Sequence, residues 1–514
     1  MNGESSQVAY NDVIKVRQKN HSYIHVECPA GVANELTDFF TFFVPGYKFM
    51  PAYKNKMWDG KIRLYDSRTR ELYAGLYPYL VEFANTPGRD YEIAIDHDPY
   101  YGRPDTNYEY DFKFLDSLTI TGGGKEIKPR DYQIRAVDHA LTNRRGLLIS
   151  PTASGKSLII YLIMRYFLEH ENGKLLIIVP TTSLVQQMYS DFADYSQYDD
   201  TFNVENECHR IYSGLPKHTD KHRVVISTWQ SIYKLQGQYF EQFGAVIGDE
   251  AHNFKAKSLT SILSKCREAK YRFGTTGTLD GTQTHKLVLE GLFGKAYYVT
   301  TTKTLMDEGA LSELNINVLL MKYSEEHRRG FTKKKYQEEI DWIVTHQPRN
   351  NFIRNLAIDQ DGNTLVLFQY VEKHGVPLYE SILAKLNEKR ASKRKVFFVA
   401  GSTDVDDREA IRQITEKEKD AIIVASLGTF STGVNIRNIH NIIFASPSKS
   451  QIRILQSIGR GLRKSDDGRA TKLYDIADDL HWKSNKNYTL NHAAERIKIY
   501  TKEKFDYKIY EIEI

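Results

Sequence analysis

Three groups of residues in this chain could do chemistry together. The first is Ser150-Pro151-Thr152-Ala153-Ser154-Gly155-Lys156-Ser157, the second Asp249-Glu250, the third Arg460 with Arg463. Gly155-Lys156-Ser157 after a short apolar run has the makings of a phosphate-binding loop. Successive backbone N–H groups from Thr152, Ala153, Ser154 and Gly155 and the positive end of a following helix can cradle a polyphosphate. Lys156 would reach its β- and γ-phosphates and the Ser157 hydroxyl would face Mg²⁺. Phosphoryl transfer to water also needs a carboxylate on the metal and one on the nucleophile. Asp249 suits the first role, partly through water, and Glu250 the second. A guanidinium is permanently charged and forks onto phosphate oxygens. If their stretch is helical, Arg460 and Arg463 at i and i+3 share one face and can offset transition-state charge on a γ-phosphate. His252, beside Glu250, is the candidate for coupling hydrolysis to motion.

The elements that must hold these groups are legible as short apolar runs between helical patterns. Leu147–Ile149, Leu175–Val179, Val224–Ile226, Ala245–Ile247 and Tyr271–Phe273 predict buried strands of a parallel sheet covered on both faces. Ligands bind such sheets beyond the carboxyl ends of the strands. Pro180-Thr181, Thr228-Trp229-Gln230, Asp249-Glu250-Ala251-His252 and Thr275-Thr276-Gly277-Thr278 each follow a strand directly. A second set of runs, Thr364–Phe368, Val396–Val399, Ala421–Val424 and Ile442–Phe444, lacks a phosphate loop and leads to Ser431-Thr432-Gly433 and Gln456–Arg463. This predicts a second sheet whose arginines complete a site begun on the first. Asp475, Asp478 and Asp479 are read as the end of a strand, and no nuclease cluster follows Arg463.

At 514 residues the chain is too long for one core. The expected boundaries are 1–120, 121–305 and 306–514, with Thr121-Gly122-Gly123-Gly124-Lys125 as a linker. A net charge of +5 is small for this length, so nucleic acid would be met by local basic faces. One such stretch, Lys48 to Arg70, has seven Lys or Arg against two Asp. It includes Lys54, Lys56, Trp58, Lys61 and Arg63. Cations beside aromatic rings suit phosphates and bases; the alternative is the solvated face of a hairpin turning at Trp58-Asp59-Gly60. Phe39–Phe43 is read as the end of a core helix. The three cysteines, Cys28, Cys208 and Cys266, have no CxxC spacing. They predict reduced thiols in a cytosol-like compartment and no structural metal. No apolar run approaches the roughly 20 residues that span a bilayer, and the polar N-terminus is no signal peptide.

Taken in order, Arg130-Asp131-Tyr132-Gln133, Pro151–Ser157, Val179-Pro180-Thr181, Ser227–Gln230, Asp249–His252, Thr276-Gly277-Thr278, Ser431-Thr432-Gly433 and Gln456–Arg463 resemble the motifs of superfamily 2 helicases. The departures are Ser150 and Ala153, where glycine is common. Trp58–Tyr65, Phe430–Gly433 and the tail from Ala494-Glu495-Arg496 to Phe505 extend the likeness over the full length to the bacteriophage UvsW-type recombination helicases. That resemblance implies an α/β fold: two tandem RecA-like parallel-sheet domains preceded by a small N-terminal α/β domain that contacts DNA. It implies ATP with Mg²⁺ between the two sheets. Arg130 and Gln133 would recognise adenine, Gly433 would lie on the nucleotide side, and Gln456 would act with the arginines. Thr181, Thr228 and Thr432 would line the nucleic-acid track, and Thr276 and Thr278 would couple hydrolysis to domain motion. The implied activity is an ATP-dependent motor on branched DNA: fork regression, Holliday-junction branch migration, R-loop unwinding and annealing in recombination, repair and replication. Its partners would be forked DNA and RNA–DNA hybrid, with the protein a monomer or weak oligomer in a host cytoplasm. Two alternatives stand beside it, a restriction-system motor or RNA remodeller, and an ATP-gated clamp that never translocates.

Overall fold

Apolar runs bounded by turn residues, joined by several strands of mixed sequence, form two seven-stranded sheets, every neighbouring pair of strands parallel. These are features of a computed structural model that describes residues 12–89, 91–96, 112–212, 214–255, 257–279, 282–388, 394–401, 417–432, 438–448, 450, 458–459, 462 and 468–514. The chain divides into two compact units, one of residues 1–150 and 155–299, the other of 300–514 together with the loop residues 151–154.

In the first unit the strand order is Cys208–Ile211, Val224–Thr228, Lys174–Val179, Phe243–Gly248, Tyr271–Thr276, Arg145–Ile149, Ala296–Tyr298. The five central strands are the five read from the apolar runs, each a residue or more longer. The two edge strands are short and mixed in character, which is why no run marked them. The carboxyl ends of the central strands are in register, Ile149 opposite Thr276 and Val179 opposite Thr228. Lys156–His170 follows the expected phosphate loop and buries every residue from Leu158 to Phe167. A helix enclosed on all sides must be apolar all round, and this one nearly is.

The same unit holds an N-terminal five-stranded mixed sheet, ordered Tyr65–Asp66, Glu71–Tyr73, Tyr23–Glu27, Val13–Gln18, Glu92–Asp96. Its core is continuous with that of the seven-stranded sheet. Gly75 is where the two meet most closely: a Cβ there would overlap the Glu290 carbonyl and lie 2.8 Å from the Gly291 carbonyl and 3.0 Å from the Gly294 nitrogen. Tyr79 donates to Glu290 Oε2 at 2.6 Å, and Ser22 to the Leu263 carbonyl at 3.1 Å.

Two local expectations change. Thr121-Gly122-Gly123-Gly124-Lys125 is a tight hairpin, Thr121–Gly122 paired with Lys125–Glu126. Gly123 and Gly124 both have positive φ, 61° and 74°, as a type I′ turn requires, so the glycines serve a fold rather than a loose linker. The helix Ala30–Phe39 does end in the Phe run, but Thr41–Phe43 continues as a strand paired with Lys61–Arg63, and a short helical excursion fills the space between.

The second unit has the order Lys395–Val399, Ala421–Ser426, Thr364–Phe368, Asn441–Phe444, Thr471–Asp479, Leu314–Lys322, Tyr507–Glu513. Asp475, Asp478 and Asp479 lie at the end of a strand. Each is buried and each has a cation: Arg496 at 2.8 Å, Arg349 at 2.6 Å and Lys322 at 2.7 Å. A buried carboxylate is tolerable only with such a partner.

Candidate nucleotide and nucleic-acid site

Gly155 caps the Lys156–His170 helix with φ 79°, a conformation only glycine adopts freely. It is fixed a second time from outside. Gln133, buried at the start of the helix Asp131–Asn143, accepts the Arg130 N–H on Oε1 at 2.8 Å and turns Nε2 against Gly155, so a Cβ at Gly155 would overlap the amide. The two motifs expected to meet the base and the phosphates are thus in direct contact. Ala153 has φ 66°, in the region where glycine costs nothing and alanine pays on the order of 1 kcal/mol. The departure from glycine therefore leaves the turn in place at some strain. Ser154 Oγ donates to the Pro151 carbonyl at 2.6 Å, and buried Ser150 donates its N–H to the Thr276 carbonyl at 2.8 Å. Lys156 Nζ donates to the Ser150 carbonyl at 3.3 Å, folding the ammonium back over the loop.

Asp249 directly follows the strand Phe243–Gly248, which Tyr271–Thr276 separates from Arg145–Ile149, and is 7 % exposed. Its Oδ1 accepts from Thr275 Oγ1 at 2.6 Å and from the Glu250 N–H at 2.9 Å. Burial, and then the Glu250 charge, raise its pKa above the ordinary 3.8; Lys156 and the Thr275 bond act the other way. Glu250 has φ 50°, a strained conformation for a side chain of this size. Its Oε2 lies 3.3 Å from His252 Nδ1, which is also 3.1 Å from Thr276 Oγ1. Thr276 in turn donates to the Thr278 carbonyl at 3.1 Å, and His285 Nε2 lies 3.0 Å from the His252 carbonyl. Alternation along the strand sends Thr275 to Asp249 and Thr276 to His252, so adjacent residues serve different groups.

Thr181 caps the helix Thr182–Tyr195, accepting from the Leu184 N–H at 3.3 Å. Thr228 is buried with its hydroxyl 2.9 Å from Ser231 Oγ. In the second unit, Thr432 closes the helix Leu427–Thr432. Gly433, Gln456, Arg460 and Arg463 lie outside the described residues. In the N-terminal sheet region, Lys48, Tyr53, Lys54, Lys56 and Trp58 line a groove of about 630 Å³. The Trp58 indole donates to the Lys61 carbonyl at 2.8 Å, and Arg63 pairs with Asp59 at 2.5 Å. Lys61 Nζ stands 5.1 Å over the Phe43 ring. Phe49 and Met57 beside them are 80 % and 81 % exposed.

Tyr195 Oη lies 2.8 Å from Ser157 Oγ, and neither it nor Thr275 or His285 was among the candidate residues read from the sequence. Thr275 sat inside a motif already singled out; Tyr195 and His285 come from distant helices, and no local spacing signals them.

Three family models match: "DNA helicase UvsW, N-terminal" over residues 13–96, "Type III restriction enzyme, res subunit" over 126–281 and "Helicase conserved C-terminal domain" over 348–465. The ATP-dependent DNA helicase uvsW of Enterobacteria phage T4 is 36% identical over 512 residues, covering 96% of this chain and 98% of that one. The chain belongs to the UvsW family of ATP-dependent DNA helicases. The crystal structure of T4 UvsW matches over 97% of this chain and 99% of that one, at 35% identity and a TM-score of 0.51. The DNA 3'-5' translocase XPB2 of Sulfurisphaera tokodaii is 23% identical over 70% of this chain and 84% of its own. As a UvsW-family helicase the chain is an ATP-using enzyme that acts on nucleic acid, built on two RecA-like sheets with a small N-terminal α/β region. Among the described residues no helix is long and apolar enough to cross a membrane.

Proposed function

We propose that this helicase drives branched-DNA remodelling, namely fork regression, Holliday-junction branch migration, R-loop unwinding and annealing, in phage recombination, repair and replication within a host cytoplasm. The observation that carries this is the likeness to T4 UvsW along the whole chain, the N-terminal region included. The functional division is 1–120 for DNA contact, 121–305 for ATP binding and 306–514 for the second motor domain. Branched DNA or RNA–DNA hybrid is the substrate, taken up by a monomer or weak oligomer.

The donor set fits a divalent cation. Asp249 is a buried carboxylate that is costly to ionise alone, with the ionisable Glu250 beside it, and the Ser157 hydroxyl is of the type that binds hard cations. Ser157 and Asp249 would hold Mg²⁺, the latter partly through water; when bound, the ion neutralises charge on the β- and γ-phosphates. Lys156 leaves the Ser150 carbonyl for the phosphates, and the loop N–H groups from Thr152 to Gly155 seat them. Arg130 and Gln133 read the adenine, and Gly433 lies on the nucleotide side. Glu250 orients the attacking water, with His252 holding its carboxylate. Gln456, Arg460 and Arg463 contribute from the second sheet. Thr276 and Thr278, linked to His252, pass the state of Glu250 to the strand end. Thr181, Thr228 and Thr432 meet a nucleic-acid backbone. Lys54, Lys56, Trp58, Lys61 and Arg63 offer charge and rings to the branch.

Backbone recognition makes sequence preference weak and salt dependence strong. The test is ATPase stimulation and strand separation on forks, Holliday junctions, R-loops, linear duplex and RNA duplex. Preference for branched DNA is expected; equal activity on linear duplex or preference for RNA duplex overturns the substrate reading. Failure to displace a triplex-forming strand would mark a clamp rather than a motor. Glu250→Gln should lower DNA-stimulated turnover by roughly 10²-fold or more with nucleotide binding kept, in line with the loss of a positioned base. Normal turnover would refute the role of Glu250.

A further inference from the structure

Ser157 Oγ lies 2.8 Å from the phenolic oxygen of Tyr195. Tyr195 is the last residue of the helix Thr182–Tyr195, so its hydroxyl comes to the phosphate loop from 38 residues away. The ring is held independently of that bond, packed at 5.4 Å on Tyr161 of the helix that follows the loop. The residue before it is held as well. Asp194 accepts the Gly123 N–H on both carboxylate oxygens, at 3.0 and 2.9 Å, and its carbonyl accepts the buried Thr121 hydroxyl. The tyrosine is therefore fixed on its ring face and through its neighbour's bonds to the Gly123–Gly124 hairpin.

We propose that Tyr195 is a positioning residue for the metal-binding hydroxyl of Ser157. A serine hydroxyl has one proton and two lone pairs, and it serves a cation only when the proton points elsewhere. In this proposal Ser157 Oγ donates that proton to Tyr195 Oη, 2.8 Å away, which leaves the lone pairs of Ser157 Oγ facing the loop. The rotor is thus set before the ion arrives, which removes an ordering cost from metal binding. The same helix begins at Thr182, directly after Thr181, a proposed nucleic-acid contact, so its two ends place one residue at each of the two proposed sites.

The proposal rests on the reading of Ser157 as a metal ligand, and the experiment separates the two. Full-length protein carrying Tyr195→Phe, Ser157→Ala or both is titrated with Mg²⁺ while binding of a fluorescent ADP is followed, and binding is measured again in EDTA. Loss of one ordering hydrogen bond should raise the Mg²⁺ concentration for half-maximal binding about threefold to tenfold in Tyr195→Phe. Binding in EDTA and the melting temperature should stay unchanged, and the double variant should be no worse than Ser157→Ala. A Mg²⁺ requirement unchanged in Tyr195→Phe but raised in Ser157→Ala overturns the role of Tyr195. No change in Ser157→Ala overturns the ligand reading itself. Equal loss with and without Mg²⁺, or a lowered melting temperature, marks Tyr195 as packing only and also overturns the proposal.

Discussion

Asp249 sits where a charge is expensive. With its pKa raised by burial and by Glu250, the folded protein favours the protonated form more than the unfolded chain does. The sign follows from linkage: this group's contribution to stability is complete below about 3.8, the ordinary carboxylate value, and is lost as pH rises through the raised folded value. Asp249→Asn keeps the acceptor for Thr275 and removes the charge. Metal-free protein with that substitution should melt no lower than the parent, while ATP hydrolysis is lost; calorimetry beside an ATPase assay checks both. Gly155 is the opposite kind of residue, fixed by shape alone. Gly155→Ala meets both a positive φ and the Gln133 amide, and should abolish nucleotide binding as measured by fluorescence titration. Adding Gln133→Ala removes the overlap but leaves the φ penalty of about 1 kcal/mol and takes away the proposed adenine contact, so rescue should be partial at best.

At the scale of elements, the strands that carry the site were legible because a strand buried on both faces must be apolar from end to end. Lys174–Val179 and Thr364–Phe368 satisfy that locally. Leu314–Lys322 and Thr471–Asp479 pair along nine positions towards one side of the second sheet, yet Asn315, Asn317, Lys472, Asp475 and Asp478 interrupt their runs. The partners that make Asp475 and Asp478 tolerable, Arg496 and Arg349, are 21 and 129 residues away. No window of sequence contains that compensation. The site divides the same way. The candidate residues Ser150–Ser157 and Asp249-Glu250 are contiguous, so spacing alone proposes them; the contacts Ser157–Tyr195 and Gln133–Gly155 depend on how helices stack. The Gly122–Gly124 run failed as a linker because glycine marks positive φ as readily as freedom. Gly75 marks close approach instead. Gly75→Ala forces its methyl into backbone carbonyls that cannot rotate away, and should cost about 1–3 kcal/mol, seen as a lower denaturation midpoint.

Over the whole molecule, both units should respond to acid. His21, at the seam where its N–H donates to the Arg267 carbonyl and Arg145 donates to its own carbonyl, has a pKa lowered to about 4 by burial and then by Arg145, Arg272, Lys270 and Arg144. His374, buried in the second unit, is lowered to about 3, again chiefly by burial. The unfolded chain takes up protons near 6.5 and the folded one does not. Their stabilising contribution is therefore full above about pH 6.5 and declines as pH falls towards about 4 for His21 and about 3 for His374. Melts between pH 7.5 and 4.5 should show that decline, and His21→Gln should flatten it.

The contact at Gly75 also bears on mechanical work. A domain hung on a flexible tether absorbs part of each displacement as slack. Here the N-terminal sheet meets the helix Gln283–Phe293 backbone to backbone, with a shared core and no room for a methyl group. The two sheets share one core and belong to the same compact unit, packed too closely for a tether to lie between them.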